Sequence, residues 1–294
     1  MNNNKRAYVF ALIAVFFWGT SASAFKIGLK YLDHFQLLFL ATLTSSIFLF
    51  VLLIIQKKFS LIKEFTLNDF LKTISLGFLN PFLYYVVLFK AYSLLPAQVA
   101  QPLNFVWPIA LVLLSAPILK QKLSLKSIIA LFISFIGVFL ISSEGNISNF
   151  NFANPLGVSL ALGSSIIWAL FWLLNVKNNK DEVVQLFLNF VVALILITLF
   201  TFKFSSFEID TVKGVLSGLY IGLFEMGITF VLWLKALKLA NRTDKISNLI
   251  YLTPFYSLIF ISLILKENIY ITTLFGLILI VTGIIIQQNK KIKI

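Results

Sequence analysis

One carboxylate in this sequence stands in the middle of a long apolar stretch: Glu225, near the centre of 212–235. An ionisable residue in such a place is costly and is a functional candidate by default. Two chemistries are open to it, pairing with the ammonium group of a bound substrate or carrying a coupling proton. The structural alternative is a protonated carboxyl that hydrogen-bonds a neighbouring helix and only fixes packing. Gly214, Gly218, Gly222 and Glu225 follow helical spacing, and the three glycines form GxxxGxxxG. Small residues at that spacing let helices approach closely. The stripe is therefore expected to face protein, with Glu225 directed into the bundle or a watery cavity.

Amides and aromatics supply the rest of a candidate substrate site. Gly77, Asn80 and Tyr84 share one helical stripe, and Gln101, Asn104 and Trp107 share another. An amide both donates and accepts, so it can bind either end of a zwitterion; hydrogen bonding between helices is the alternative. Trp18, Trp107 and Trp168 fall near the middle of their apolar runs rather than at the interfaces where Trp is enriched. Trp172 lies one turn beyond Trp168, and Tyr251 joins the set of candidate substrate contacts. An aromatic-lined cavity suits an apolar, aromatic or cationic substrate; core packing or lipid contact is the other reading of each ring. Pro108 and Pro254 are expected in mid-helix, where each removes a backbone hydrogen bond. Together with Glu225 and Lys26 they are read as coupling or gating positions. Lys26, toward a helix end, can attract a substrate carboxylate, while Lys90 and Lys235 are placed to snorkel. Asp244 and Glu267 lie near loops and are expected to serve structure or gating through nearby lysines.

The elements that must hold these residues follow from composition. Of 294 residues 60% are hydrophobic and 12% charged, against about 45–50% and about 25% in soluble domains. With a mean hydropathy of +0.97, the chain reads as an all-α polytopic membrane protein. The absence of Cys excludes disulfides, thiolate metal sites and cysteine nucleophiles, and the single His34 leaves no histidine metal cluster. No metal or cofactor is expected. The net charge of +13 is read as cytoplasmic loop charge rather than a nucleic-acid surface.

A helix needs about 20 apolar residues to cross the hydrocarbon core. Ten runs qualify as candidate spans: 7–30, 35–55, 70–92, 96–118, 126–142, 155–176, 183–202, 212–235, 245–265 and 270–288. The first, with Lys5 and Arg6 before it and Ala22-Ser23-Ala24 within it, imitates a secretory signal. It is expected to be retained as a helix. With the N-terminus in the cytoplasm, sixteen Lys and Arg fall on the inner side, and four, Lys30, Lys203, Lys213 and Lys266, on the outer. Both termini are thus expected inside.

The chain also resembles itself. A shift of 145 lays 76–94 on 221–239, matching Gly77 with Gly222, Val86 with Val231 and Lys90-Ala91 with Lys235-Ala236. A shift of 146 pairs Pro108 with Pro254, Lys120 with Lys266, Leu131 with Leu277 and Gly137 with Gly283, and near 150 Trp18 meets Trp168. The expected organisation is a five-helix repeat over 1–142, an extracytoplasmic linker over 143–154 and a second repeat over 155–294. Five spans is an odd number, so the halves enter the membrane from opposite sides. Inverted halves with a midplane site between them are a recurring plan of secondary transporters.

These residues resemble the drug/metabolite transporter superfamily, and within it the ten-helix EamA type. The resemblance rests on 17-FWGTSASAFKIGL-29, Lys90-Ala91, Pro108 and Pro254, Lys266-Glu267, and Gly137 and Gly283. Within that type, 104-NFVWP-108 with Gln121-Lys122 is similar to the aromatic amino acid exporter branch. Gln121 departs from the glutamate that EamA proteins often carry, while Glu267 keeps it. The resemblance implies a multi-pass carrier of small metabolites in the cytoplasmic membrane of a prokaryote, often an exporter; amino acids or related compounds are the substrate class expected first. Its expected partners are a small-molecule substrate, amino acid first, and the lipid bilayer, with no nucleic acid; the chain is a monomer or homodimer. Carriage of S-adenosylmethionine or a nucleotide-type metabolite is the alternative. A membrane-embedded enzyme, the reading from another class, would need clustered carboxylates or a nucleophile with its base. No second carboxylate is placed to face Glu225, so no catalytic residue is assigned.

Overall fold

A computed structural model describes residues 3–118, 125–146, 153–175, 180–241 and 243–288. Among these residues the structure is built of helices and turns, without strands. We number the long helices α1 (Asn3–Gly28), α2 (His34–Ile55), α3 (Leu67–Leu94), α4 (Ala97–Ile118), α5 (Leu125–Ser142), α6 (Pro155–Asn175), α7 (Glu182–Phe204), α8 (Val212–Leu239) and α9 (Lys245–Leu265). All nine are long and apolar enough to cross a membrane. A further helix, α10 (Ile271–Gln288), has a shorter apolar stretch, Ile271–Ile286. The protein is a multi-pass membrane protein. Gln121 and Lys122 lie outside the described residues, as does 147–152, half of the expected linker.

Local sequence marks the helix starts. Asp33 accepts from the backbone N–H groups of Phe35 and Gln36 while the Gln36 side chain returns to the Asp33 N–H, a reciprocal cap that begins α2. Thr66 and Asp69 repeat the device at α3, and Asp181 caps α7 through Val183 and Val184. α1 turns a small-residue face inward: Ala7, Ala11, Ala14, Ser21, Ala22 and Ser23 are buried. The run that imitates a cleavage site is thus the surface by which α1 enters the bundle.

Packing follows a pattern that exchanging the two halves preserves. α1 packs against α8 and α9, while α6 packs against α3 and α4. α2 pairs with α7, and α5 with α10. Gly218 and Gly222 lie on α2, where a Cβ on Gly218 would meet Leu40 at 2.6 Å, and Gly214 lies on the turn before it, where a Cβ would meet Leu32 at 2.8 Å. The backbones of α5 and α10 touch, and a Cβ on Gly137 would stand 2.6 Å from the Gly276 carbonyl oxygen.

Two helices loosen at matching places. α3 widens into a π segment over Phe78–Leu83 that is broken by a kink at Asn80, whose backbone is extended (φ −148°, ψ 122°), and α8 is π-helical over Ile221–Gly227. Such wide turns are rare and gather at functional sites. α4 and α9 are interrupted too, and here one expectation is corrected. Pro108 and Pro254 are not in helix interiors. α4 breaks at Phe105–Val106, and Pro108 is the second residue of the following segment Trp107–Ile118. Pro254 is the second residue of Thr253–Phe260, which follows the 3-10 turn Asn248–Leu252. In a first turn the missing N–H has no intrahelical partner to lose, so both prolines restart helices rather than kink them.

Candidate functional site

The π segment of α8 carries Glu225 into the bundle, where it is 7% exposed. Ser21 of α1 donates a hydrogen bond to its Oε2, and the Tyr85 hydroxyl of α3 donates to Oε1 at 3.0 Å. Glu225 thus ties together three helices through hydroxyl donors, and no described cation is within ion-pair distance of it. A buried carboxylate held only by neutral donors is electrostatically incomplete. A substrate cation or a proton would complete it.

Beside Glu225 runs a polar and aromatic train. Tyr84 donates to Asn104 Oδ1 at 3.2 Å, and Asn104 Nδ2 donates to Ser164 Oγ at 2.8 Å, linking α3, α4 and α6. The Tyr84 ring lies 4.7 Å from both Tyr85 and Trp168. Trp168 continues edge-on to Trp172 at 5.9 Å and to Phe230 at 5.8 Å. Phe230 meets Trp18 at 6.2 Å, and Trp18 meets Trp233 at 5.3 Å. Of the residues singled out in the sequence, Trp18, Tyr84, Asn104, Trp168, Trp172 and Glu225 therefore belong to one connected assembly.

The others stand apart from it to different degrees. Asn80 is 2% exposed on the α3 π segment, and its Oδ1 has no hydrogen-bond partner among the described residues. Gln101 accepts from the Tyr92 hydroxyl at 2.5 Å, farther toward the α3–α4 turn. Trp107 packs half-buried against the core, and Tyr251 meets Phe105 edge-on at 6.3 Å. Lys26 is held by backbone: its ammonium donates to the carbonyls of Tyr92 and Leu95, both at 2.9 Å, at the end of α3. The two prolines border the helix breaks and touch no charge in the site.

Several participants escape a reading of the sequence alone. Ser21 and Ser164 give no signal beyond being small polar residues in apolar runs. Tyr85 is adjacent to Tyr84 and turned about 100° from it around the helix, off the stripe that Gly77, Asn80 and Tyr84 define. Phe230 and Trp233 follow Glu225 by roughly one and two turns, which is a readable spacing. Glu267, expected to serve structure or gating through nearby lysines, binds backbone. Its Oε1 accepts from Ala97 N–H at 3.0 Å and its Oε2 from Gln98 N–H at 3.2 Å. The carboxylate thereby caps the start of α4 from the α9–α10 loop. Gln98 reciprocates, donating to the Asn268 carbonyl at 2.9 Å and accepting from Tyr270 N–H at 2.8 Å.

The EamA-like transporter family model matches the chain twice, over residues 5–143 and 155–287. The chain belongs to this family. Relatives include uncharacterized transporters of bacteria and archaea. YvbV of Bacillus subtilis is 25% identical over 72% of this chain and 70% of its own length. A Clostridium kluyveri protein is 24% identical over 98% and 95%, and one from Archaeoglobus fulgidus is 22% identical over 97% and 100%. A solved crystal structure at 17% sequence identity superposes with a TM-score of 0.68 over 97% of both chains, a likeness of fold. The EamA-family chain is thus a membrane transporter, with a small-molecule substrate and the bilayer as its surroundings.

Proposed function

We propose that this transporter is a secondary carrier that exports amino acids or related metabolites from a prokaryotic cell across the cytoplasmic membrane. The observation that carries the reading is Glu225, a buried carboxylate held by the hydroxyls of Ser21 and Tyr85, beside the aromatic train from Tyr84 to Trp233. A substrate ammonium fits the carboxylate, its apolar side chain fits the rings, and the Asn104 amide offers a polar contact for a carboxylate end. In this reading α10 is a tenth span, both termini are cytoplasmic, and residues 1–142 and 155–294 form inverted repeats. The twofold family match, the half-exchanging contacts and the paired π segments support that organisation. Rocking of one half against the other about the breaks in α3, α4, α8 and α9 would then expose Glu225 to each side in turn. The NFVWP segment at Asn104–Pro108 supports an aromatic amino acid as the substrate.

Exchange in proteoliposomes preloaded with unlabelled amino acids tests this, with labelled Phe, Trp, Thr and S-adenosylmethionine, with and without a pH gradient. Saturable exchange of an amino acid is expected, together with its loss in Glu225→Gln. Exchange of S-adenosylmethionine alone would move the assignment to nucleotide-type metabolites. Unchanged exchange in Glu225→Gln would remove the carboxylate from the site.

A further inference from the structure

Away from Glu225, at the end of the bundle where α3 turns into α4, lies an open depression of about 540 Å³. Its volume is within the usual range for small-ligand sites, roughly 300–1,000 Å³. Lys26, Pro96, Gln98, Glu267, Asn268 and Tyr270 are among its lining residues. Lys26 and Glu267 interact electrostatically across it, yet they are not paired with each other. Backbone groups hold both: the ammonium on the Tyr92 and Leu95 carbonyls, the carboxylate on the Ala97 and Gln98 N–H groups.

Valence arithmetic shows what remains. An ammonium has three donors and a carboxylate about four acceptor sites. Lys26 therefore retains one N–H, and Glu267 retains lone pairs on both oxygens. Each has a like-charged neighbour that interacts with it electrostatically, Lys30 with Lys26 and Glu144 with Glu267. The depression is thus positive on one flank and negative on the other, with the charges fixed by backbone rather than cancelled by an ion pair.

We propose that this depression is a vestibular binding site for a zwitterionic amino acid, with the substrate carboxylate on Lys26 and its ammonium on Glu267. The substrate class rests on the amino acid reading above; the site itself rests on the dipolar depression. Occupancy there places a substrate molecule beside the α9–α10 loop and the α4 cap, where Glu267 and Gln98 hold the two together.

The chain has no cysteine, so Asn268→Cys puts a single thiol on the rim. In full-length protein in nanodiscs, phenylalanine or threonine is expected to slow maleimide labelling of that thiol several-fold. Phenethylamine and 3-phenylpropionate, each bearing one of the two charges, are expected to leave it unchanged. Lys26→Gln should raise the half-protecting concentration about tenfold, and Lys26→Arg should restore it. Absence of protection by either amino acid, or equal protection by the singly charged analogues, would overturn the site without relying on any Lys26 variant. Protection that disappears in Glu225→Gln would also overturn it, by tracing the effect to the central site. Protection by amino acids together with no exchange in proteoliposomes would retire the carrier reading and leave the vestibular site standing.

Discussion

Charged side chains in this transporter are held in different ways according to depth. Glu225 is in the interior on two hydroxyls, with no cation paired to it among the described residues, whereas Asp181 at the start of α7 is paired with a lysine as well as with backbone. Lys58 donates to Asp181 at 2.7 Å, and the N–H groups of Val183 and Val184 donate to its other oxygen at 3.1 and 3.3 Å. Burial opposes its charge, but the Lys58 hydrogen bond and the two N–H groups outweigh that opposition and hold the carboxyl below the usual Asp range. A depressed folded-state pKa stabilises the fold above the unfolded value, about 3.9, and that contribution is lost as pH falls through the folded value. Asp181→Ala is therefore expected to cost about 1 kcal/mol near neutrality. The gap should narrow as the pH is taken below 4, read as thermal midpoints of wild type and variant in one detergent. A constant gap would show that the charge contributes nothing beyond the geometry of the cap.

At the scale of elements, close backbone approach is what joins the helices. A Cβ on Gly137 would clash with the Gly276 carbonyl oxygen and press on Ile280 at 2.9 Å, whereas one on Gly163 would meet nothing within 4 Å. Gly137→Ala should accordingly destabilise the α5–α10 pair by about 1–3 kcal/mol through overpacking. Gly163→Ala should be neutral, or stabilise by up to about 1 kcal/mol through helix propensity. Thermal unfolding of the two variants side by side separates packing from propensity, and equal effects would contradict the crowded α5–α10 contact. Long elements of this kind are legible in the sequence because an apolar run near 20 residues has few other meanings. Gly137 and Gly283 are legible because the internal repeat pairs them. The π segments are not. Pro81, with no N–H, is a signal for the one in α3, but nothing in 221-IGLFEMG-227 announces a shifted hydrogen-bond pattern. For the same reason Glu225 can be picked out as an intramembrane carboxylate while its partners cannot. Ser21 and Tyr85 reach it only through the crossing of α1, α3 and α8, which no linear spacing encodes.

For the whole molecule the open question with a decisive answer is sidedness, because it gives the vestibule its direction. The end where α2 stops and α7 begins gathers basic residues: Lys58 pairs with Asp181, Lys180 with Asp69 at 2.9 Å, and Lys238 with Glu182, with exposed Lys63 nearby in chain order. Lysines and arginines in short loops favour the cytoplasmic side even where some are locally paired, since the rule counts basic residues and not net charge. The opposite end carries the Lys26–Glu267 depression and the loop from α7 to α8, where Ser206 is exposed. In the cysteine-free chain, Ser206→Cys is expected to react with a membrane-impermeant maleimide in intact cells, and Lys63→Cys only after permeabilisation. That result would place the vestibule outside, where on the proposed export function it is the last site the substrate occupies before release and the first an external competitor meets. The reverse labelling would place it in the cytoplasm, turning the same dipolar depression into a loading site. It would also require the basic end of the bundle to stand against the charge rule that most membrane proteins obey.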